Sequence, residues 1–223
     1  MRVAVLSLTR DRLWATKHCF QTLCDLSGCD FDHYVYDQAS EDGTPEWLEN
    51  EYRPHFLWTN AQNVGVSKGI NFLLNHAKGY DVVVRFDNDC ELLVDGTLAA
   101  CAETARAWGY ITSPHIQGLK SPPSLGWQGG IAVNGRGYRV GVPNIMGGIF
   151  MAAPASLYDT YRHDEANPIW GMDDAKIVDY WRAQGGEVGY LLDYPANHYL
   201  TTDGQAERDP VWFARKVREY NAA

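Results

Sequence analysis

The sequence predicts a single α/β domain in which helices cover both faces of a mostly parallel sheet. Short apolar runs alternate with amphipathic stretches within the first 90 residues, which is the pattern of successive strand–helix units. No linker-like, repetitive or low-complexity tract interrupts the 223 residues. We therefore expect one continuous domain over residues 1–223, with a regular half over about 1–95 and a less regular half over about 96–223.

The first half contains four predicted strands joined by three predicted helices. Pro45 suits the first turn of the second helix, and Ile70 and Leu74 lie on one apolar face of the third. Strands that alternate with helices in this way require a parallel sheet with right-handed crossovers. The strands are expected at 3–6, 34–36, 56–58 and 81–86, and the helices at 12–26, 45–52 and 67–77.

The second half predicts a smaller mixed or antiparallel portion beside this sheet. The segment 113–130 is rich in Gly, Pro and Ser and is predicted to be a loop, whereas two β-rich runs on either side of 134–137 indicate a hairpin. The remaining elements are expected as strands at 110–112, 149–151 and 188–191, and as helices at 97–108, 173–183 and 211–220.

Composition and charge exclude several classes of protein. The 19 basic and 28 acidic side chains give a net charge of −9, which disfavours a broad surface for nucleic acid or anionic lipid. No apolar run approaches the roughly 18–20 residues of a membrane span, and charges at 10–12 interrupt the apolar start before a signal peptide is complete. Five cysteines without C-x-x-C pairing favour reduced thiols and a cytoplasmic location. Nothing indicates an obligate protein partner.

Two acidic segments follow predicted strands. Asp87, Asn88 and Asp89 come directly after the fourth strand, and Asp37 follows the second. The carboxyl ends of parallel strands meet at one edge of a sheet, where ligands bind. Mg²⁺ or Mn²⁺ needs only one or two protein carboxylates when a diphosphate supplies other oxygens, so this pattern predicts a metal and nucleotide site. The alternative is a solvated acidic turn.

A second acidic pair, Asp173 and Asp174, stands at the start of a predicted helix. A carboxylate held there can act as the general base that takes a proton from an acceptor hydroxyl. The alternative is that the pair only interacts favourably with the helix dipole. Trp170 lies just before the pair, and Trp127 lies in the predicted loop, where an indole face can stack on a sugar.

The segments of the first half resemble the family 2-like glycosyltransferases with the GT-A fold. Residues 3–10 look like their first strand and nucleotide loop, residues 36–44 resemble their D-x-x-S-x-D-G-T segment, and residues 87–89 match their D-x-D. The resemblance implies that Asp37 contacts the nucleobase, Asp87 the ribose and Asp89 the metal. The expected donor-binding residues of this half are Thr9, Arg10, Asp37, Asn63, Gly65, Lys68, Asn71, Asp87 and Asn88.

The second half carries a weaker resemblance to the same family. Gly147 and Gly148 resemble the glycine pair that borders the donor sugar, and residues 170–174 look like the W-G-x-E-D segment that ends in the catalytic acid. The resemblance assigns that acid to Asp174, with Asp173 as its alternative because Asp replaces Glu here. Trp170 joins the donor-binding set. His198 resembles a histidine that completes the metal shell with Asp87 and Asp89, and its imidazole suits Mn²⁺ better than Mg²⁺.

The resemblance implies an inverting, metal-dependent transferase that moves a sugar from a nucleoside diphosphate sugar, most often a UDP-sugar, to an acceptor hydroxyl. The acceptor would be a glycan or a small molecule, with modified DNA or lipid less favoured. Two other functions stay open. A sugar-phosphate nucleotidyltransferase normally has a glycine-rich loop after its first strand, and residues 8–11 contain no glycine. A non-catalytic carbohydrate-binding module would keep the aromatic residues without binding Mn²⁺ and nucleotide.

Overall fold

A computed structural model describes residues 1–166 and 173–222 of the chain. In this part, ten strands form one sheet with helices packed on its faces, which confirms the predicted fold class. The strands are β1 (Val3–Thr9), β2 (Asp32–Gln38), β3 (Phe56–Asn60), β4 (Val82–Phe86), β5 (Cys90–Leu92), β6 (Ile111–Gln117), β7 (Leu125–Val133), β8 (Arg136–Pro143), β9 (Phe150–Pro154) and β10 (Val188–His198).

The helices connect these strands and close the chain. They are α1 (Leu13–Leu26), α2 (Thr44–Trp47, continued by a π-helical turn at Leu48–Tyr52), α3 (Val66–His76), α4 (Thr97–Trp108), α5 (Leu157–Thr160), α6 (Asp173–Ala183), α7 (Thr202–Arg208) and α8 (Pro210–Ala222). Among these helices, none combines the length and the apolar composition that a membrane span requires.

The regular half has the predicted strand–helix order. Strand β1 lies between β2 and β4, parallel to both, and β3 pairs parallel to β2 at the edge. The apolar residues Val3–Leu6 are buried because strands of a parallel sheet are covered on both faces. The carboxyl ends of β1, β2 and β4 consequently lie along one edge of the sheet.

The second half continues the same sheet with mostly antiparallel pairs. The order is β3-β2-β1-β4-β9-β6-β10-β8-β7, and β5 also pairs with β10. Strands β4 and β9 are antiparallel, β6 and β10 are parallel, and β7 and β8 form the predicted hairpin around Asn134 and Gly135, both at positive φ. This portion is mixed, as the sequence predicts, and it contributes six of the ten described strands.

The prediction that residues 113–130 form a loop is wrong. Strand β6 runs on to Gln117 and β7 begins at Leu125, so that only the residues between them connect the two strands. Pro114 is tolerated because β6 pairs with β9 only at Thr112, which leaves the rest of β6 with β10 as its partner in the described sheet. Gly129 lies under the exposed Trp127 indole, which would have to shift to admit a Cβ at this position.

The short strand β5 and the end of the long strand β10 lie next to the acidic turn that follows β4. They pair antiparallel with His198 opposite Cys90, which brings His198 next to the acidic turn at 87–89. The sequence analysis did not predict β5, and it predicted only residues 188–191 of β10. After His198 the chain returns through α7 and α8 toward the loops that follow β1 and β2.

Candidate active site

A cleft of about 370 Å³ lies at the carboxyl ends of β1 and β4. Both halves of the chain contribute to it, and most of its polar lining comes from loops that follow strands or precede helices. The lining consists of Leu8, Thr9, Arg10, Arg12, Gln38, Val66, Arg85, Asp87, Asn88, Asp89, Leu119, Gly147, Gly148, Ile149, Asp173, Asp174, His198 and Lys216.

The acidic turn after β4 is held rigidly by backbone hydrogen bonds. The Asp87 amide donates to the Ile149 carbonyl at 2.9 Å, and the Tyr199 amide donates to the Asp89 carbonyl at 2.7 Å. Between them, the buried Asn88 side chain donates to Thr16 Oγ1 on α1 at 2.9 Å. The turn is thus tied to the second half on both sides and to α1 in the middle, which fixes where its two carboxylates point.

Asp89 accepts hydrogen bonds from three different segments. Its Oδ2 lies 2.7 Å from Arg12 Nη1, 3.3 Å from Gln205 Nε2 and 3.4 Å from His198 Nε2. Burial acts to raise the pKa of Asp89, but the Arg12 guanidinium and the His198 imidazole outweigh it and hold the pKa well below its ordinary value. Asp89 therefore stays ionised even in mild acid.

The donor set around Asp89 fits a divalent cation that a substrate would help to bind. The described residues contain no group of three or more His, Cys, Asp or Glu side chains arranged to hold a metal by themselves. Asp89 Oδ2 and His198 Nε2 nevertheless face each other at 3.4 Å, close enough for one ion to bind both. A carboxylate and an imidazole suit Mn²⁺, and a diphosphate can complete its shell.

Arg85 joins the acidic turn to the start of α6. Its Nε donates to Asp87 Oδ1 at 3.0 Å, and its Nη1 pairs with Asp173 Oδ2. Burial raises the pKa of Asp87 to about 6 against the opposing effect of the Arg85 guanidinium. Burial acts in the same direction on Asp173, but there Arg85 outweighs it and the pKa of Asp173 is lowered. Asp173 is therefore a buried, ionised partner of Arg85.

Asp174 lies beside Asp173 and is held in a different way. Its Oδ2 accepts the Gly148 amide at 3.0 Å, and its Oδ1 accepts the amide of Ala175 in its own helix at 2.8 Å. Gly148 must be a glycine because an added Cβ would lie only 2.5–3.0 Å from the Arg85 guanidinium. Asp174 is partly exposed and lines the cleft, and the two backbone amides orient its carboxylate there.

Asp37 is fully buried below the loop that follows β2 and does not line the cleft. Its carboxylate accepts hydrogen bonds from Thr9 Oγ1 at 2.7 Å, from the Ser40 amide at 2.9 Å and from Ser40 Oγ at 2.6 Å. Burial raises the pKa of Asp37, while the bonds from Ser40 oppose the rise. Asp37 thus orients Thr9, which itself lines the cleft.

Two predicted donor-binding side chains meet a residue of α8. Glu219 pairs with Arg10 and accepts a hydrogen bond from Asn63 Nδ2 at 2.9 Å. Asn63 Oδ1 in turn accepts the amide of Gly65, which has a φ of 87° at the start of α3. Arg10 also donates to the carbonyl of Ala39 at 3.1 Å. Of these residues only Arg10 lines the cleft, whereas Asn63, Gly65 and Glu219 lie beside it.

Three other residues named from the sequence lie elsewhere. Lys68 is exposed on α3 and does not line the cleft. Asn71 is buried and binds the backbone of His163, donating to its carbonyl at 2.8 Å and accepting from its amide at 3.0 Å. Trp127 is exposed on β7 and does not line the cleft either. The predictions for Trp170 fall outside the described residues.

Sequence reasoning missed Arg12, Gln38, Gln205 and Lys216. Arg12 has a φ of 58° just before α1, and its Nη1 and Nη2 bind Asp89, Gln205 and Asn88. Arg12 belongs to no motif recognisable in the sequence. Its left-handed backbone conformation, which in a non-glycine residue commonly marks a functional loop, is visible only in the structure. Lys216 belongs to a polar helix face that the spacing of the tail could have indicated, because Trp212, Arg215, Lys216 and Glu219 recur at helical intervals.

Three solved structures, of GalNAc-T7, PcManGT and TarS, have a similar fold. GalNAc-T7 with UDP, GalNAc and Mn²⁺ is 14% identical, with a TM-score of 0.68 over 92% of this chain and 45% of that one. The mannosyltransferase PcManGT from Pyrobaculum calidifontis with GDP-Man and Mn²⁺ is 17% identical, with a TM-score of 0.68 over 97% of this chain and 64% of that one. TarS from S. aureus is 16% identical, with a TM-score of 0.62 over 93% and 38%. The chain thus spans between about two fifths and two thirds of their lengths.

The arrangement of the sheet and its helices defines an α/β domain of the GT-A type. The family model described as "Glycosyl transferase family 2" matches residues 12–139, which is more than half of the chain. The chain therefore belongs to glycosyl transferase family 2. A search of curated proteins found no match to it.

Proposed function

We propose that the chain transfers a sugar from a nucleoside diphosphate sugar to an acceptor hydroxyl, with inversion at the anomeric carbon. One observation carries this proposal: Asp87 and Asp89 of the acidic turn and Asp174, far from them in sequence, line one cleft at the carboxyl edge of the sheet. Membership of the family supports it. So does the presence of UDP or GDP-Man with Mn²⁺ in two structures of the same fold.

The donor half of the mechanism uses the acidic turn. Asp87 is proposed to bind the ribose, and Asp89 with His198 to bind Mn²⁺ or Mg²⁺ across the diphosphate. When bound, that cation offsets the negative charge that develops on the leaving diphosphate. The hydrogen bonds of Asp37 to Thr9 and Ser40 favour an indirect role in nucleobase binding, through the loop that it orients.

Asp174 is proposed as the general base, and the ion pair of Asp173 supports that choice. Asp173 is 5% exposed and already paired with Arg85, whereas Asp174 is partly exposed and accepts hydrogen bonds from two backbone amides. In the reaction, the acceptor oxygen forms a bond to the anomeric carbon while the bond to the β-phosphate oxygen breaks. The hydroxyl proton passes to the Asp174 carboxylate, and the nucleoside diphosphate leaves with the bonding electron pair.

The donor and the acceptor are proposed by class. UDP-sugars are the first donors to test, followed by GDP-sugars, since both nucleotides occur in structures of this fold. A hydroxyl of a glycan or a small molecule is the proposed acceptor, because the net charge of −9 disfavours DNA.

The proposed function is tested by the release of UDP or GDP from a panel of their sugars with Mn²⁺ and with water as the acceptor. Asp174→Asn should lower the rate at least about 100-fold, since a positioned base contributes about 10²–10⁴-fold. Asp179→Asn, at an exposed position of the same helix, is the matched control and should behave as the wild type. An Asp174→Asn protein that turns over at the wild-type rate would refute the assignment of the base.

A further inference from the structure

The peptide group that joins Phe86 to Asp87 is held from both sides of β4. Its N–H, which belongs to Asp87, donates to the Ile149 carbonyl at 2.9 Å. Its carbonyl, which belongs to Phe86, accepts a hydrogen bond from Ser7 Oγ on β1 at 2.6 Å. The acidic turn begins at this peptide, so the orientation of the peptide determines the direction in which the turn leaves the strand.

Ser7 extends the contact between β1 and β4 beyond their backbone pairing. The last pair of these two strands in the described part of the sheet is Leu6 with Arg85. Ser7 follows Leu6, and its side chain bonds the Phe86 carbonyl one residue beyond that pair. Because Ser7 is buried, this carbonyl depends on a donor from the protein.

The hydrogen bonds of Ser7 determine the tautomer of the buried His33. The Ser7 hydroxyl has one proton, which it donates to the Phe86 carbonyl. His33 Nε2, at 2.8 Å from Ser7 Oγ, must therefore be the donor of the bond between them. Burial lowers the pKa of His33 to about 3, so the imidazole is neutral near pH 7 and Nδ1 carries no proton. Nδ1 in turn accepts a hydrogen bond from the Tyr52 hydroxyl at 2.7 Å.

The opposite order of protons would release the Phe86 carbonyl. With its proton on Nδ1, His33 would donate to Tyr52, and its Nε2 would accept the proton of the Ser7 hydroxyl. The Phe86 carbonyl would then lose this donor. The Nε2–H tautomer of His33 therefore keeps the Ser7 proton directed at the carbonyl.

We propose that Ser7 is a positioning residue for the cation site at the acidic turn, and that His33 holds the Ser7 hydroxyl in the required direction. This inference rests on the proposed function, in which Asp89 binds the cation. Neither Ser7 nor His33 lines the cleft, so both act through the peptide at the start of the turn. A turn that leaves β4 in a fixed direction keeps Asp89 Oδ2 at 3.4 Å from His198 Nε2, where one ion contacts both.

The first measurement is the affinity for Mn²⁺ in the presence of UDP or GDP. It is obtained on the full chain from the electron paramagnetic resonance signal of free Mn²⁺, with Mn²⁺ and nucleotide alone as the blank. Ser7→Ala should weaken Mn²⁺ binding about tenfold, which is the lower end of the loss expected when a group that orients a metal ligand is removed. Ser7→Cys keeps a weak donor and should give an intermediate affinity.

Ser113→Ala is the matched control for the loss of a buried serine hydroxyl. Ser113 is fully buried on β6, and its hydroxyl donates to the Pro114 carbonyl at 3.0 Å, outside the cleft. This variant should bind Mn²⁺ as the wild type does, even where it lowers the melting temperature. Should Ser7→Ala fail to fold, Ser7→Cys and Ser113→Cys allow the same comparison.

The second measurement is the tautomer of His33, which requires neither metal nor nucleotide. A long-range ¹H–¹⁵N spectrum of the full chain distinguishes the two ring nitrogens, and His33→Gln identifies the signals. The wild type should carry the proton on Nε2. A proton on Nδ1 would overturn the inference, because Ser7 would then donate to His33 and not to the Phe86 carbonyl.

The outcomes separate this inference from the function on which it rests. Equal Mn²⁺ affinity in the wild type and in Ser7→Ala overturns the inference alone. Equal losses in Ser7→Ala and Ser113→Ala also overturn it, since they would mean that any lost hydroxyl disturbs the site through stability. A wild-type chain that binds no Mn²⁺ with either nucleotide refutes the proposed function, and the inference fails with it.

Discussion

Arg85 lies between the carboxylates of Asp87 and Asp173, at the point where the halves of the cleft meet. Its replacement should lower the free energy of unfolding more than most single substitutions do. The side chains of Arg85 and Asp173 are 11% and 7% exposed. Arg85→Met removes the partner of a buried carboxylate, and breaking a buried pair in this way costs about 3–5 kcal/mol. For a chain of this size each kcal/mol lowers the melting temperature by about 2–4 °C, so we expect a decrease of about 6–20 °C.

A double-mutant cycle by urea unfolding tests the pairing itself. Asp173→Asn should lower the free energy of unfolding less in the Arg85→Met background than in the wild type. In that background Asp173 has already lost its Arg85 partner, and the substitution removes its buried charge. The expected coupling between the two positions is about 1–3 kcal/mol. Arg139 and Asp193 form an exposed control pair at 2.5 Å, for which we expect a coupling below about 1 kcal/mol. A coupling for Arg85 and Asp173 no larger than that of the control pair would refute the reasoning.

Two further predictions concern the same edge of the sheet and the core behind it. Gly148→Ala should lower kcat at least about tenfold, because its Cβ displaces the Arg85 guanidinium and shifts the amide that orients the base; wild-type kcat would contradict this. Burial lowers the pKa of His33 from its ordinary value of 6.5 to about 3. Between these two pH values His33 is protonated in the unfolded chain but not in the folded one. The free energy of unfolding therefore decreases as the pH falls from 6.5 toward 3. Between pH 6.5 and 5 the wild type should lose about 1–2 kcal/mol more than His33→Gln in urea unfolding, and an exposed control, His55→Gln, should behave as the wild type.

The strand–helix order of the regular half could be predicted because its signals are local. An apolar run such as Val82–Phe86 predicts a buried strand, and the acidic turn that follows it must lie at the carboxyl end of the sheet. The start of α6 at Asp173 could be predicted for the same reason, since acidic residues favour the first turn of a helix. Such features require no knowledge of which distant segments meet.

The strands at 113–130 could not be predicted from local composition. Glycines in β7 indicate a loop when the sequence is considered alone, yet Gly129 and Gly130 pair with Val140 and Arg139 of β8. Pro114 also argues against a strand, and it is accommodated because β6 has few bonds to β9. In both cases a neighbour in space decides the conformation.

The positions of the basic side chains in the cleft depend on contacts between segments that are far apart in the sequence. Arg12 reaches Asp89 because the acidic turn is tied to α1, and Lys216 reaches the cleft because α8 is attached to loops about 200 residues earlier. Asp37 presents the opposite case, since its position after β2 suggests a ligand contact while its hydrogen bonds point into the protein. The direction in which a side chain points at the end of a strand depends on how distant segments pack around it, so it could not be predicted from the local sequence.

The most direct test of the account is a crystal structure of the chain with UDP or GDP and Mn²⁺, with anomalous scattering recorded at the manganese edge. We expect one manganese peak bound by Asp89 and His198, with the diphosphate in the cleft beside the Gly147–Gly148 backbone. A nucleotide bound outside the cleft, or a manganese peak distant from Asp89, would contradict it.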